Sequence, residues 1–105
     1  MLYAIISEDI DSSLPLRLQA RPAHIARLQT MLNEGQLILA GPHPAIDNPE
    51  PGAQGFTGSL IVAEFSSLSD AESWANADPY MKAGVYSKVT VKPFKQVLPL
   101  SLIHI

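Results

Sequence analysis

The sequence predicts one α+β domain whose elements follow the order strand, helix, strand, strand, helix, strand. Two short apolar runs, residues 2–7 and 56–65, have the length and composition of strands. One long segment, residues 16–34, carries apolar residues at three- and four-residue spacing, which indicates a helix. A chain of 105 residues has room for one hydrophobic core, so these elements should pack together.

The long helix has recognisable signals at both ends. Ser13 suits its N-cap, and Pro15 is tolerated in its first turn. Gly35 should end it as a residue in the left-handed conformation. Pro22 lacks a backbone N–H, so we expect a kink or a break there. Four residues mark the expected apolar side: Leu18, Ile25, Leu28 and Leu32.

The second half of the chain supplies the remaining elements. Residues 36–40 are the expected second strand, and residues 41–58, rich in Pro, Gly, Asn and Asp, indicate a long hairpin connection. Ser69 or Asp70 should cap a short helix whose apolar side carries Ala71, Trp74 and Ala75. Another turn begins at Asp78 and is closed near Gly84, and residues 85–97 form the fourth strand.

Right-handed crossovers arrange this βαββαβ order into a ferredoxin-like fold, a four-stranded antiparallel sheet with both helices on one face. The expected strand order is fourth, first, third, second, because the first and third strands are apolar on both faces, as central strands are. The helices leave the other face uncovered, so we expect a homodimer in which the partner buries Tyr3, Ile5 or their sheet-face neighbours. The tail from Leu98 is an alternative cover.

The composition excludes several classes of protein. The absence of cysteine excludes disulfides, thiol catalysis and thiolate metal sites, and fits a cytoplasmic location. Seven scattered cationic residues against ten acidic ones form no basic stripe, so we expect no nucleic-acid partner. The apolar runs are far shorter than a bilayer span, so we expect no membrane partner.

Two residues more than fifty positions apart suggest chemistry. His24 lies within the long helix, and Asp78 opens a short turn as a residue before proline often does. A histidine and a carboxylate that folding brings together form a general acid–base pair. The simpler alternatives are a partly exposed helical histidine bonded to water and a carboxylate that only caps a helix.

Three further residues are candidates for substrate binding. Arg21 can share a helix face with His24 and hold an anion, although a salt bridge to an acidic neighbour is the simpler function. Gly41 can allow close approach of the backbone to a ligand or simply end a strand. Tyr80 can donate to a substrate or only pack. We expect no metal and no other cofactor, because no histidine pair has zinc-binding spacing and no phosphate-binding glycine loop is present.

Several motifs together resemble the YciI-like family of the dimeric α+β barrel superfamily. The matching segments are Tyr3 with the short strand that follows it, Arg21-Pro22-Ala23-His24-Ile25-Ala26-Arg27-Leu28, Ala40-Gly41-Pro42, Gly55-Phe56-Thr57-Gly58-Ser59, Asp78-Pro79-Tyr80, Gly84-Val85-Tyr86 and Val91-Lys92-Pro93-Phe94-Lys95. The likeness covers residues 1–97, which we assign to one YciI-like domain, and residues 98–105 form a C-terminal tail that matches no motif.

The resemblance implies a dimer whose two sheets pack face to face, and a cleft with a histidine–aspartate catalytic dyad, which falls on His24 and Asp78. Members of the family with a known activity act on ring substrates, for example by removing chloride from chlorinated hydroxyquinols. The first hypothesis is therefore a cofactor-free lyase, isomerase or hydrolase acting on a small cyclic or phenolic substrate. A non-catalytic small-molecule binding or regulatory module and a purely structural dimer are the alternatives.

Overall fold

A computed structural model of the chain describes residues 1–99. The elements in chain order are β1 (Leu2–Asp9), α1 (Leu14–Asn33), β2 (Leu37–Pro44), β3 (Phe56–Glu64), α2 (Leu68–Asn76), α3 (Pro79–Lys82) and β4 (Tyr86–Phe94). All strand pairs are antiparallel, in the order β2-β3-β1-β4, and the helices pack on one face of the sheet. The predicted fold class and strand order are confirmed. Residues 100–105 of the predicted tail lie outside the described residues.

Helix α1 begins and ends where the sequence signals place it. The structure differs from the prediction in two details, the hydrogen bonding of Ser13 at the N-cap and the effect of Pro22. Ser13 occupies the N-cap position, but its hydroxyl donates to Asp9 at 2.6 Å and caps no backbone N–H. At the other end Gly35 has a φ of 75°, and Gln36 N donates to Met31 O at 2.9 Å, which closes a Schellman motif. Pro22 does not break the helix, because packing along its whole length outweighs one missing hydrogen bond.

The buried side of α1 differs from the predicted apolar side. The buried residues are Arg17, His24, Leu28 and Met31, whereas Leu18, Ile25 and Leu32 are 62%, 40% and 53% exposed. Only Leu28 of the four predicted positions is buried. Polar side chains can take interior positions when partners satisfy them, and both Arg17 and His24 face carboxylates here.

Helix α2 starts two or three residues earlier than predicted. Its N-cap is Ser67, whose hydroxyl accepts from Asp70 N at 3.1 Å, so the assignment of the cap to Ser69 or Asp70 is wrong. A serine followed three residues later by an acidic residue is itself a capping signal. The apolar side is as expected, since Ala71 and Ala75 are buried and Trp74 is half-buried.

The core lies between the helices and one face of the sheet. It is formed by Ile5, Leu28, Met31, Ile61, Ala63 and Ala75. Tyr3 and Ile5 are 6% and 2% exposed under the helices, so the prediction that a partner buries these two residues is wrong. Alternation assigns the next residues of β1 and β3, including Leu2, Ile6 and Leu60, to the opposite face. That face, which we call the open face, is where a partner would pack.

An irregularity in β4 changes which way Tyr86 points. Glu8 pairs with Lys88, but Asp9 pairs with Tyr86, so Ser87 is an extra residue in the ladder. A one-residue shift moves a side chain to the other face of a sheet. Plain alternation groups Tyr86 with the solvent-facing Lys88, whereas the bulge turns Tyr86 toward the helices.

Candidate active site

His24 and Asp78 meet beneath the helix layer. His24 comes from the middle of α1, and Asp78 is the N-cap of α3, fifty-four residues later. Nδ1 of the imidazole lies 2.8 Å from Oδ1 and 3.0 Å from Oδ2 of the carboxylate. His24 is 6% and Asp78 is 2% exposed. The hydrogen bond expected between them is therefore present, and His24 is not the partly exposed, water-bonded residue of the alternative interpretation.

The surroundings of the imidazole fix its orientation. A carboxylate can only accept, so Nδ1 carries the proton of this hydrogen bond. In the neutral ring Nε2 is then the basic nitrogen, and no hydrogen bond to a described residue engages it. The ring stacks on Tyr80 with centroids 3.8 Å apart and planes 12° from parallel. Tyr80 thus holds the face of the imidazole while Asp78 holds its edge.

Asp78 also caps α3. Its Oδ1 accepts from Tyr80 N at 2.8 Å, the hydrogen bond of an N-cap aspartate before a proline at N1. The two functions considered for this residue, capping and contact with His24, therefore coexist in one carboxylate.

Arg27 adds a positive charge behind this carboxylate. Its Nη1 lies 3.8 Å from Oδ2 of Asp78, and its Nη2 donates to Trp74 O at 3.1 Å. The guanidinium also lies over the Trp74 ring, 4.3 Å from its centroid. Burial lowers the pKa of Arg27, and the nearby charge of Asp78 partly offsets this effect. Arg27 therefore places a guanidinium on the side of the Asp78 carboxylate away from the cavity.

A cavity of about 260 Å³ opens beside His24, between α1, β2 and β3. Its lining residues are Leu14, Arg17, Leu18, Arg21, His24, Ile25, Leu28, Ala40, Gly41, Pro42, Phe56, Ser59, Ile61 and Tyr80. The lining contains two arginines and a histidine but no carboxylate, and the rest is mostly apolar or aromatic. Such a wall suits a small, flat, anionic molecule.

The other sequence candidates lie around this cavity. Arg21 is exposed at its rim and makes no ion pair with any residue from 1 to 99, so the expected salt-bridge alternative is not found there. Gly41 lies on the exposed β2 side, and Tyr80, 3% exposed, lines the interior. Asp78 does not line the cavity but lies behind His24. In the described part of the chain no three His, Cys, Asp or Glu side chains cluster as metal ligands would.

Sequence reasoning missed a buried ion pair at one end of the cavity. Arg17 is 4% exposed, and its Nε and Nη2 donate to the two oxygens of Asp9 at 2.6 and 3.0 Å. Burial alone would lower the pKa of Arg17, but the hydrogen bond and the charge of Asp9 raise it above its ordinary value. Arg17 precedes His24 by seven residues, two helical turns, so the shared helix face was a signal available in the sequence.

Ser59 and Tyr86 complete this end of the cavity. The Ser59 hydroxyl accepts from Arg17 Nη2 at 2.8 Å and from the Tyr86 hydroxyl at 3.3 Å. Burial raises the pKa of Tyr86 to about 12. Burial also raises the pKa of Tyr80, and Arg17 and Arg21 partly oppose this. Both tyrosines therefore remain neutral hydrogen-bond donors at physiological pH.

No helix among residues 1–99 has both the length and the apolar character needed to cross a bilayer.

Comparison with known proteins agrees with this architecture. The YCII-related domain family matches residues 1–95. The protein YciI of Escherichia coli is 59% identical over 97 residues, which are 92% of this chain and 99% of that protein. An uncharacterized protein of Haemophilus influenzae is 50% identical over the same shares.

A solved structure is similar in three dimensions. It is 5-chloro-2-hydroxyhydroquinone dehydrochlorinase of Burkholderia phenoliruptrix, in complex with 2,5-dihydroxybenzoquinone. The TM-score is 0.79 with 27% sequence identity, and the match covers 90% of this chain and 94% of the other. The family match over nearly the whole chain, the high identity to YciI and the shared fold lead to one conclusion: this chain belongs to the YCII-related family.

Proposed function

We propose that the protein is a cofactor-free acid–base enzyme that acts on a small cyclic or phenolic substrate, with His24 and Asp78 as its catalytic dyad. The observation that carries the proposal is the hydrogen bond from Nδ1 of His24 to Asp78, which leaves the other ring nitrogen for a ligand in the cavity. A general base needs this combination of a held tautomer and an accessible nitrogen. The related dehydrochlorinase supports the substrate class, because both molecules named with it are oxygenated six-membered rings.

The proposed chemistry is proton transfer to and from the ring. Nε2 of His24 takes the proton of a ring hydroxyl, and the electron pair of that O–H bond stays on the substrate as an enolate or phenolate. The imidazolium that forms is stabilised by Asp78, and Arg21 at the rim adds positive charge near the oxyanion. Returning the proton to a ring carbon completes an isomerisation.

A chlorinated hydroxyquinol would need one further step. The first transfer puts the proton on the carbon that bears chlorine, which gives a keto tautomer. A second hydroxyl proton then goes to His24 while the C–Cl bond breaks and chloride leaves with its electron pair. The net loss is HCl and the ring product is a quinone, so the sequence of steps requires no external oxidant.

The test is chloride release from 5-chloro-2-hydroxyhydroquinone under anaerobic conditions, measured by ion chromatography. We expect His24→Asn to lower the rate by about a hundredfold or more, the usual contribution of a general acid–base residue. His43→Asn is the matched control, because His43 is exposed on β2 and does not line the cavity. Activity should also survive treatment with a chelator.

A non-catalytic binding or regulatory module is the second candidate, since the same cavity would serve a protein that binds a ring without changing it. Binding of 2,5-dihydroxybenzoquinone without turnover of chlorinated or unchlorinated hydroxyquinols would favour this module and contradict the enzyme proposal.

A further inference from the structure

Arg27 of α1 joins that helix to the end of α2, next to Asp78. The backbone N–H groups of the two residues that follow α2 donate to the carbonyls of Ser73 and Ala75, both at 3.1 Å. The carbonyl between these two, that of Trp74, accepts from Nη2 of Arg27 at 3.1 Å. The guanidinium therefore caps the C-terminal end of α2, where the helix dipole also favours a cation.

The rest of the guanidinium lies between an aromatic ring and the carboxylate of Asp78. Its Cζ is 4.3 Å from the centroid of the Trp74 ring, a cation–π contact. Its Nη1 is buried, makes no hydrogen bond with any residue from 1 to 99 and lies 3.8 Å from Oδ2 of Asp78. Neither Arg27 nor Asp78 lines the cavity, so Arg27 can act on a bound ring only through the dyad.

The charges around Asp78 decide how many protons His24 carries. Asp78 is 2% exposed, and a buried carboxylate without a cationic partner is costly. Arg27 is charged at neutral pH, as arginine is in proteins, and can be this partner. Without it, the partner would have to be His24 itself. The imidazole would then carry a second proton, and that proton would occupy Nε2.

The other charged or titratable groups near the dyad do not replace Arg27. From the elements packed around it, these groups are Arg17 and Arg21 of α1, Tyr80 of α3 and Tyr86 of β4. The charge of Arg17 is already paired with Asp9, and Arg21 is exposed, where solvent and salt screen its charge. Both tyrosines are neutral because burial raises their pKa values. Among residues 1–99, Arg27 is therefore the cation that remains for Asp78.

We propose that Arg27 is a positioning residue of the dyad, which pairs with the buried Asp78 carboxylate from behind and so leaves Nε2 of His24 unprotonated and able to act as a base at neutral pH. This inference rests on the proposed function, because it concerns the charge state in which His24 would take a proton from the ring. It adds a third member to the dyad, one that neither lines the cavity nor touches a substrate.

A nitrogen-15 NMR titration of the whole protein tests the proposal without a substrate, because the shifts of the ring nitrogens show whether an imidazole carries one proton or two. Arg27→Gln keeps a donor for the Trp74 carbonyl but removes the charge. Its imidazole should keep the second proton to a higher pH, so the midpoint of the His24 titration should rise by about one pH unit. Arg27→Met, which keeps an apolar contact with the Trp74 ring, takes its place if that variant does not fold. Lys82→Gln, which removes an exposed charge of α3, is the control and should leave the midpoint unchanged.

Two results of the titration overturn the proposal. One is a doubly protonated imidazole at His24 in the wild-type protein at neutral pH. The other is a midpoint that does not move in a folded variant of Arg27 that lacks the charge, which would leave Arg27 as no more than the cap of α2.

The chloride assay separates this inference from the proposed function. In an active protein, the pH below which the rate falls should move upward in Arg27→Gln together with the NMR midpoint, because both report the second proton of His24. A rate that is lowered equally at every pH would indicate a structural contribution alone and overturn the proposal. A shifted midpoint in a protein that releases no chloride supports this inference and contradicts the enzyme function. Turnover with an unchanged midpoint retains the enzyme function and contradicts the inference.

Discussion

At the scale of single residues, Asp78 shows how one carboxylate can serve two neighbours. Its Oδ1 receives both the Tyr80 backbone N–H and, with Oδ2, the imidazole of His24. A carboxylate has about four acceptor positions, so the two functions do not compete for the same lone pair. Substitutions at this residue can therefore separate the cap from the contact with His24.

The first prediction compares two substitutions at this residue. Asparagine is as good an N-cap as aspartate, so Asp78→Asn should keep the cap, while Asp78→Ala loses it and should be less stable by a further ~1 kcal/mol. Both should lower the rate of chloride release by about a hundredfold or more, because neither supplies the charge that stabilises the imidazolium. Urea denaturation and the chloride assay measure the two effects.

Ser67→Ala is the control for this comparison, since it removes only the cap of α2. It should cost about 1 kcal/mol of stability and leave the rate unchanged. Full activity in Asp78→Asn would mean that the carboxylate is only a cap.

The second prediction concerns alkaline pH. The pKa of Tyr86 is raised from 10 to about 12 by burial, so the folded protein favours the neutral phenol. The stability that this contributes is complete below about pH 10 and is lost as the pH rises from about 10 to about 12. In Tyr86→Phe the free energy of unfolding should therefore fall less steeply over this range. If the free energy of unfolding fell equally steeply in the wild-type protein and in Tyr86→Phe, the raised pKa of Tyr86 would be contradicted.

The candidate residues differ in how readily the sequence reveals them. His24 and Asp78 could be proposed because histidine is rare in this chain and Asp-Pro is a recognisable helix start. Arg17 was missed because an arginine on a helix is usually solvent-exposed, and its burial depends on Asp9, which belongs to a strand rather than to the helix. The seven-residue spacing of Arg17 and His24 indicates a shared helix face, but it does not show which carboxylate would pair with a buried arginine.

At the scale of elements, two departures from simple periodicity have a common origin. Hydrophobic spacing predicts the wrong apolar side of α1, and strand alternation alone would group Tyr86 with Lys88; both are purely periodic arguments. Paired polar residues rotate the buried side of α1 toward Arg17 and His24, and the extra residue Ser87 shifts the phase of β4. Periodicity locates an element well, but which residues of that element face the core depends on contacts made elsewhere in the chain.

The third prediction tests the packing of the central strands. A Cβ at Gly58 would collide with the Ser7 carbonyl of β1, so Gly58→Ala should force β1 and β3 apart and destabilise the protein by about 1–3 kcal/mol or more. Gly41→Ala is the matched control in the edge strand β2, where a Cβ meets no atom of the described chain within 4 Å. Thermal denaturation should separate the two. Equal stability of Gly58→Ala and Gly41→Ala would contradict the close approach of Gly58 to the Ser7 carbonyl.

At the scale of the whole molecule, the strand order could be predicted because it depends on which strands are apolar on both faces. It does not depend on which of the two faces the helices cover. Strands that are apolar on both faces occupy the centre of a sheet whichever face the helices cover. The choice of face could not be made from the sequence, because Leu2 and Ile6 are as apolar as Tyr3 and Ile5. Which face is covered is determined by contacts between the helices and the sheet, and a hydrophobic pattern does not reveal these contacts.

The fourth prediction is that the protein is a homodimer that packs through the open face. Leu60 lies in a central strand on that face, so Leu60→Glu should shift the mass measured by light scattering from dimer toward monomer. Leu32→Glu is the control, because Leu32 is 53% exposed on the opposite, helical layer and should leave the mass unchanged. A monomeric wild-type protein at micromolar concentration would contradict the prediction.

The shared use of the Asp78 carboxylate has a consequence for reading variants of this chain. A random library sorted only for folded protein would favour acceptor side chains at residue 78, because α3 needs its cap even when no chemistry is selected. The same sorting would place no such demand on the basic nitrogen of His24, which bonds no described residue. Survival of an acceptor side chain at residue 78 therefore reports on folding, whereas survival of His24 together with the carboxylate of Asp78 is the more specific record of selection for activity.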